Sequence, residues 1–438
     1  MKTKSLDRSP PVQSALVLHP DRSQKDDLRA PRARLAEAVG LAEALDLRVT
    51  AGEVVPLRQI APATLLGAGK VAEIAERAAA AALDVVVIDD ALSPAQQRNL
   101  ERAWKVKVID RTGLILEIFA RRARTGEGRL QVELARLEYE RSRLVRTWTH
   151  LERQRGGLGA MGGPGETQIE TDRRLLTRKV ARLKKDLADV RRTRTLGRQS
   201  RRRVPFPAIA LVGYTNAGKS TLFNRLTSSD VVAANMLFAT LDPTLRRLKL
   251  PNGRPAILSD TVGFISELPH ELVEAFRATL EEVEEADIVL HVRDIASPES
   301  EAEAEDVRRV LEELGAGVGS GQRVLEVWNK IDLLDEDARA FLDARAAREA
   351  GGALAVSAAT GEGCGPLIQH LAALVDEGPL VTVELESSDG EGLAWLYRHG
   401  RVLDRRDADG GAVILRTRLD TAALGRFEQM RPRAVASA

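Results

Sequence analysis

Residues 207–227, PAIALVGYTNAGKSTLFNRLT, pass from an apolar run through a glycine-containing loop into an amphipathic stretch. Within them Gly213–Ser220 satisfies the pattern G-x-x-x-x-G-K-[ST], which needs a strand before it and a helix after it. No other feature narrows the fold as much, because it commits this region to an α/β layer. Backbone N–H groups of Asn216, Ala217, Gly218, Lys219 and Ser220 are placed to cradle phosphates at a helix N-terminus, where free donors and the helix dipole favour anions. Lys219 is expected to reach the β- and γ-phosphates as a catalytic charge, and the Ser220 hydroxyl to ligate Mg²⁺. Gly213, Tyr214, Thr215 and Thr221 complete this binding set.

Asp260 closes the apolar run AILSD and is followed by Thr261, Val262 and Gly263. An acid there holds Mg²⁺ through water, while the Gly263 N–H meets a γ-phosphate. That contact is lost on hydrolysis, which is how a switch segment is released. Phe238, Ala239, Thr240, Leu241 and Asp242 lie in the intervening loop, and the Thr240 hydroxyl and carbonyl are expected to complete the metal shell. The base is read further on, in NKID. Asp332 can accept both N–H donors of a guanine edge, whereas adenine would leave a buried carboxylate unmatched. Asn329 ties this loop to the phosphate loop, Lys330 covers the ring beside Ile331, and Ser357, Ala358 and Ala359 offer a backbone N–H to guanine O6. All these elements occur in order between residues 213 and 358, which predicts a guanine-specific nucleotide hydrolase with GTP as substrate and Mg²⁺ as cofactor.

The chain has 438 residues, room for about three domains. Residues 1–14 read as a disordered tail, 15–112 as an α/β subdomain and 113–197 as a helical subdomain. Then come a linker over 198–207, the GTPase domain over 208–376 and a small α+β domain over 380–433. The overall class is multidomain α/β. Apolar residues at Leu130, Leu134, Leu137, Leu144, Trp148 and Leu151, and again at Ile169, Leu176, Val180, Leu183, Leu187 and Val190, follow heptad-like spacing. With the glycine-rich tract 156–166 between them, they predict a long antiparallel helical hairpin with an exposed tip. Charge is segregated: 173–203 holds 14 Lys/Arg against 2 Asp, and 265–315 holds 16 Asp/Glu against 4 Arg, in a chain of net charge +1. Arg173, Arg174, Arg178, Lys179, Arg182, Lys184 and Lys185 are therefore the candidates, as a group, for contact with a polyanion such as RNA. One cysteine, Cys364, excludes an intrachain disulfide and a cysteine-rich zinc site, and fits a reducing compartment. No run of 18 apolar residues spans a bilayer, and the first residues lack a signal core, so a cytoplasmic protein is expected.

The nucleotide motifs, together with LSPAQQRNLE at 92–101, DRTGLILEIFARRARTGEGRLQVELARLEY at 110–139 and GPGETQIETDRR at 163–174, resemble the HflX family of translational GTPases, within the Ras-like, TRAFAC-type class. The resemblance covers roughly residues 50–375. It implies a monomeric factor, partly ribosome-associated, that binds the large (50S) subunit and its rRNA, or the 70S ribosome. In its GTP form such a factor separates stalled ribosomes under stress, with low basal turnover raised by the ribosome. A subunit-assembly GTPase and a nucleotide-dependent RNA-remodelling protein are the alternative readings.

Four places stand apart. Phe264 occupies the position after DxxG where Ras-type proteins carry a water-orienting Gln, and the resemblance implies an apolar residue there. The tip reads AMGGPGE without the Arg that often precedes GPGE in the family. Arg293 puts a charge into the apolar strand IVLHVRD and is expected near its carboxyl edge. Gly67, Gly69 and Lys70 in LLGAGKVAEI read as a tight turn into a helix rather than a second phosphate site, since no Ser or Thr follows the Lys.

Overall fold

The computed structural model of the protein describes residues 12–22, 29–154, 164–201, 206–228, 237–238, 240–253, 255–266, 280–316, 322–346, 353–375, 380–408, 411–419, 421–431 and 434–436. The first layer is a parallel sheet of β1 (Ser14–Asp21), β2 (Arg48–Pro56), β3 (Val85–Ile88) and β4 (Lys107–Asp110), in the order β2-β1-β3-β4. The runs Ala15–Leu18 and Val85–Ile88 are buried throughout because helices cover both faces. The two-residue period of a strand sorts them: Ala15, Val17, Val85 and Val87 face α1 (Pro31–Glu43) and α4 (Arg111–Arg122). Leu16, Leu18, Val86 and Ile88 share the opposite core with residues of α2 (Ala68–Ala80) and α3 (Pro94–Trp104). Ser93 and Gln96 close a capping box at the start of α3, with Pro94 in its first turn. Gly67 is the N-cap of α2, and Lys70 pairs with Glu53 and, at 2.7 Å, with Glu73, so this lysine serves local structure.

Two boundaries differ from those expected. Helix α4 does not belong with the helical subdomain: Asp110 caps it, and Leu114, Ile115, Ile118 and Phe119 are buried in the core of the first layer. Of the next two helices, α5 (Gly126–Gln154) and α6 (Pro164–Arg201), the second continues through residues read as linker and begins inside the glycine-rich tract. They pack along the predicted seam, with Leu134 and Leu137 against Val180, Leu183 and Leu187. Residues 155–163, most of the tract, and residues 1–11 lie outside the described residues.

The central sheet has the order β10-β9-β8-β5-β7-β6. It is built from β5 (Ala208–Val212), β6 (Thr244–Lys249), β7 (Pro255–Asp260), β8 (Ile288–Asp294), β9 (Arg323–Asn329) and β10 (Leu354–Ala355). Only β6 runs antiparallel to its neighbour. Helices α7 (Lys219–Thr227), α8 (Ser300–Glu313), α9 (Glu336–Ala346) and α10 (Cys364–Val375) connect it. The nucleotide motifs follow the carboxyl ends of β5, β7 and β9, the edge where open parallel sheets bind ligands. The last unit is an antiparallel sheet, β12 (Arg401–Ala408), β13 (Ala412–Arg418), β11 (Leu380–Glu386) and β14 (Val435–Ala436) in that order, with α11 (Gly390–His399) and α12 (Thr421–Met430). Strand β14 was not expected from the sequence, and residues 409–410, between β12 and β13, lie outside the described residues. Among the described residues no helix is long and apolar enough to cross a membrane.

Candidate active site

The strand-to-helix turn forms as the motif requires. Gly218 takes φ +90°, a left-handed conformation, and a Cβ there would stand 2.2 Å from the Asn329 amide nitrogen. Lys219 is buried, and its Nζ donates to the carbonyls of Gly213 at 3.0 Å and Tyr214 at 2.8 Å, which aims the ammonium across the mouth of the loop. Burial pushes it down to about 8, with Asp260 opposing the shift. Asn216, exposed, and Ala217, buried, lie in the turn, with Ser220 and Thr221 in the first turn of α7.

Three oxygens converge beside this loop. Ser220 Oγ donates to Asp260 Oδ2 at 2.8 Å, Thr240 Oγ1 donates to the same oxygen at 2.9 Å, and the two hydroxyls are 2.9 Å apart. Asp260 Oδ1 is buried without a partner. Burial raises this carboxyl above its usual range, while Ser220, Lys219 and Thr240 pull it down. Two hydroxyls and a carboxylate with a spare oxygen suit a small hard cation such as Mg²⁺. Among the described residues no cluster of three His, Cys, Asp or Glu offers another metal site.

Gly263 follows close against the phosphate loop, where a Cβ would meet Thr215 at 3.0 Å and Lys219 Nζ at 3.1 Å. The next residue is stitched to that loop by backbone bonds: Thr215 N–H donates to Phe264 O at 2.7 Å, and Phe264 N–H to Gly213 O at 3.1 Å. The Phe264 ring is buried in the core. Thr261 Oγ1 donates to Leu211 O at 2.6 Å, and Val262 is buried.

On the base side, Asn329 Nδ2 donates to Ala217 O at 2.8 Å, tying the two loops as expected. Asp332 Oδ1 is buried with no partner, a carboxylate oxygen suited to N–H donors. Lys330 is left-handed at φ 69° and donates to Asp294 Oδ2 at 2.6 Å, and Ile331 packs beneath it against Trp328. One expectation needs correcting: the Ala358 N–H is donated to Asn329 Oδ1 at 2.9 Å rather than left for guanine O6. Ser357 Oγ accepts from Thr360 N–H at 3.0 Å, and the Ala359 carbonyl accepts from Arg225.

Four side chains assigned to the nucleotide turn elsewhere. The Phe238 ring meets Phe119 of α4 edge-on at 4.7 Å, and Leu241 is buried in the same core. The Asp242 carboxylate accepts from the Arg124 and Thr125 N–H groups at 2.8 and 3.0 Å, ahead of α5. Ala239 lies outside the described residues. The Tyr214 hydroxyl accepts from Arg29 at 2.7 Å and from Ser266 N–H at 2.9 Å, and donates to Glu37. Glu37 also pairs with Arg111, which bonds Ser266 O at 3.0 Å and Asp89. Burial works against the Arg111 charge, but Asp89 and Glu37 outweigh it and raise its pKa. Burial and then Glu37 raise that of Tyr214, keeping the phenol protonated. Sequence reasoning missed Arg29, Glu37 and Arg111; the one available signal was Arg111 inside the stretch DRTGLILE.

The distinctive stretches at 92–101 and 110–139 meet in space. Arg143 bonds Gln97 and, at 3.2 Å, Asp110, while the Tyr139 hydroxyl donates to Asp110 at 2.7 Å. The basic candidates Arg173, Arg174, Arg178, Lys179, Arg182, Lys184 and Lys185 are all exposed on α6, with Lys184 reaching Glu138 at 2.8 Å.

Known families match the sequence over most of its length. Residues 32–120 match the family described as GTP-binding GTPase N-terminal and 122–201 the GTP-binding GTPase middle region; 208–330 match the 50S ribosome-binding GTPase family and 342–430 the HflX C-terminal domain. The GTPase HflX of Magnetococcus marinus is 51% identical over 395 residues, 90% of each chain. The chain belongs to the HflX family. GTPase HflX of Escherichia coli is 48% identical over 359 residues, covering 82% of this chain and 83% of its own. A crystal structure of a GTP-binding protein from the archaeon Sulfolobus solfataricus in complex with GDP is 24% identical over 83% of this chain and 98% of its own, with a TM-score of 0.44. As an HflX-family, TRAFAC-type P-loop protein, the chain is a ribosome-associated GTP hydrolase.

Proposed function

We propose that this protein hydrolyses GTP on the large ribosomal subunit and, in its GTP form, separates stalled ribosomes into subunits, with slow turnover until the ribosome raises it. The observation that carries this reading is the polar joint in which Tyr214 of the phosphate loop and Ser266 of the switch segment bond to Glu37, Arg29 and Arg111 of the first layer. The same layer bears α5 and α6 through Asp110, Tyr139 and Arg143. A change at the γ-phosphate thereby has a contiguous route to the helical pair. That pair, read as a hairpin, carries the exposed basic residues suited to rRNA phosphates.

At the site, Lys219 and the backbone N–H groups from Asn216 to Ser220 hold the phosphates, and Gly263 is the switch contact. Ser220 and Thr240 would hold Mg²⁺ directly and Asp260 through water, and the ion would supply neutralisation of the phosphate charge. Asp332 selects guanine. The domain organisation in this reading is a first α/β layer with a helical arm, a GTPase domain and a small C-terminal domain.

Steady-state GTP hydrolysis with and without purified large subunits, with ATP as the base control, tests the proposal. Stimulation by subunits that is lost in Lys219→Ala, followed by a fall in light scattering from whole ribosomes, is the expected result. A rate that large subunits leave unchanged while GTP binding stays intact would overturn it.

A further inference from the structure

Strand β8 is buried at every position from Ile288 to Arg293, yet Arg293 brings a guanidinium into it. A charge in such a place is costly unless fully paired, and an apolar side chain would fill the space without that cost. Arg293 is paired on two sides: Nη1 with Glu326 of β9 at 2.8 Å and Nη2 with Glu301 of α8 at 2.9 Å. Glu326 Oε2 accepts a second bond, from Trp328 Nε1–H at 3.1 Å. Arg345 lies over the Trp328 ring at 5.1 Å and shares Glu301 at 2.8 Å. The ring itself is completely buried against Ile331 and Leu342, and Ile331 immediately precedes Asp332. The residues after Arg293 grip the same loop from its other side. Asp294 holds Lys330 at 2.6 Å, and Ile295 N–H donates to Asn329 O at 3.1 Å.

We propose that Arg293, acting through Glu326 and Trp328, is a positioning residue for base recognition, setting where the Asp332 carboxylate stands. The inference rests on the reading of Asp332 as the acceptor for guanine. A buried ion pair fixes orientation in a way an apolar contact does not. With the Trp328 indole N–H fixed by Glu326, and its ring closed from above by Arg345, Ile331 has one seat and Asp332 one direction. The burial of Glu326 would otherwise favour its neutral form; Arg293 and the indole N–H hold the carboxyl below its ordinary range, so the pair stays charged.

The test compares binding of GDP and IDP to the full chain, since hypoxanthine lacks the exocyclic amino group that gives Asp332 its second bond. The unaltered protein should prefer GDP by about tenfold or more, the worth of one hydrogen bond to a charged group. Arg293→Met should cut that preference by at least about threefold, and Arg293→Lys should restore part of it. Trp328→Phe keeps a ring in the core while removing the bond to Glu326; it should act in the same direction, and it carries the test if Arg293→Met does not fold. An unchanged GDP/IDP ratio in these variants, even with lower thermal stability or equally weakened binding of both nucleotides, would make Arg293 a packing residue and overturn the proposal. If the unaltered protein fails to discriminate GDP from IDP, the reading of Asp332 falls, and the proposal with it.

Discussion

Phe264 stands where a water-orienting side chain is found in Ras-type proteins, but its ring is buried in the core and its backbone is bonded to the phosphate loop. A polar side chain at this position would be buried without partners instead of reaching a γ-phosphate. Phe264→Gln is therefore expected to leave basal GTP hydrolysis within about twofold and to cost about 3–5 kcal/mol of stability, from a lost aromatic ring and an unsatisfied amide. Hydrolysis assays and urea unfolding check both parts; a tenfold faster basal rate would mean that the side chain can reach the water after all. Asp332 gives the opposite case, a buried carboxylate oxygen without a partner at the proposed base site. Asp332→Asn should weaken GDP by about tenfold to a hundredfold and improve xanthine nucleotides, because an amide can donate to the exocyclic 2-oxo group that replaces the amino group of guanine. Competition binding with GDP and XDP measures the exchange. Both residues were legible as positions in a motif. What their side chains touch was not, because motif spacing says nothing of the core behind it.

Elements differ in how plainly they were written. The run Val85–Ile88 could be read as a two-sided strand and Ser93–Pro94 as a helix start, since each signal is local. The end of α6 was invisible because its last turns carry arginines without an apolar stripe, and the place of α4 depends on which layer its buried face meets. The central β8 also sets a pH response. Burial pushes His291 down to about 4, with Arg293, Arg308 and Lys219 acting in the same direction and Glu326 opposing them. In the unfolded chain a histidine takes up its proton near 6.5, so the unfolded state binds more protons between those values. Stability is then full above about pH 6.5 and declines as the pH falls toward about 4, by about 3 kcal/mol at most. Urea unfolding at pH 7 and pH 5 should show a drop that His291→Gln reduces; equal drops in both proteins would remove His291 as the cause.

At the scale of the whole molecule the decisive feature is the joint between the first layer and the GTPase domain. One continuous apolar cluster runs from Ala15 and Phe119 to Phe238, Phe264 and Val307, and Glu37 sits beside it as the acceptor for Arg29, Arg111, Tyr214 and Ser266. Glu37→Gln keeps the shape and removes the charge that both arginines need, so it should cost about 3–5 kcal/mol. It should also lower stimulation by large subunits while leaving GTP affinity in place. Unfolding curves and the ratio of stimulated to basal hydrolysis measure the two effects, and an unaltered ratio would mean that the joint is structural alone. The residues of the candidate nucleotide site stand out in the sequence because each of its parts is a short contiguous pattern whose residue types suit phosphate, metal or base. The same holds for the two-sided strands and the heptad seam, which repeat within a few residues. Only the tertiary structure decided that Tyr214 and Asp242 bond across the domain joint, that Arg293 pairs with Glu326 and Glu301, and that Phe264 belongs to the core. Those roles depend on partners far along the chain, 185 residues away for Arg29 and Tyr214, and no local pattern records which distant side chain folding will bring within hydrogen-bond reach.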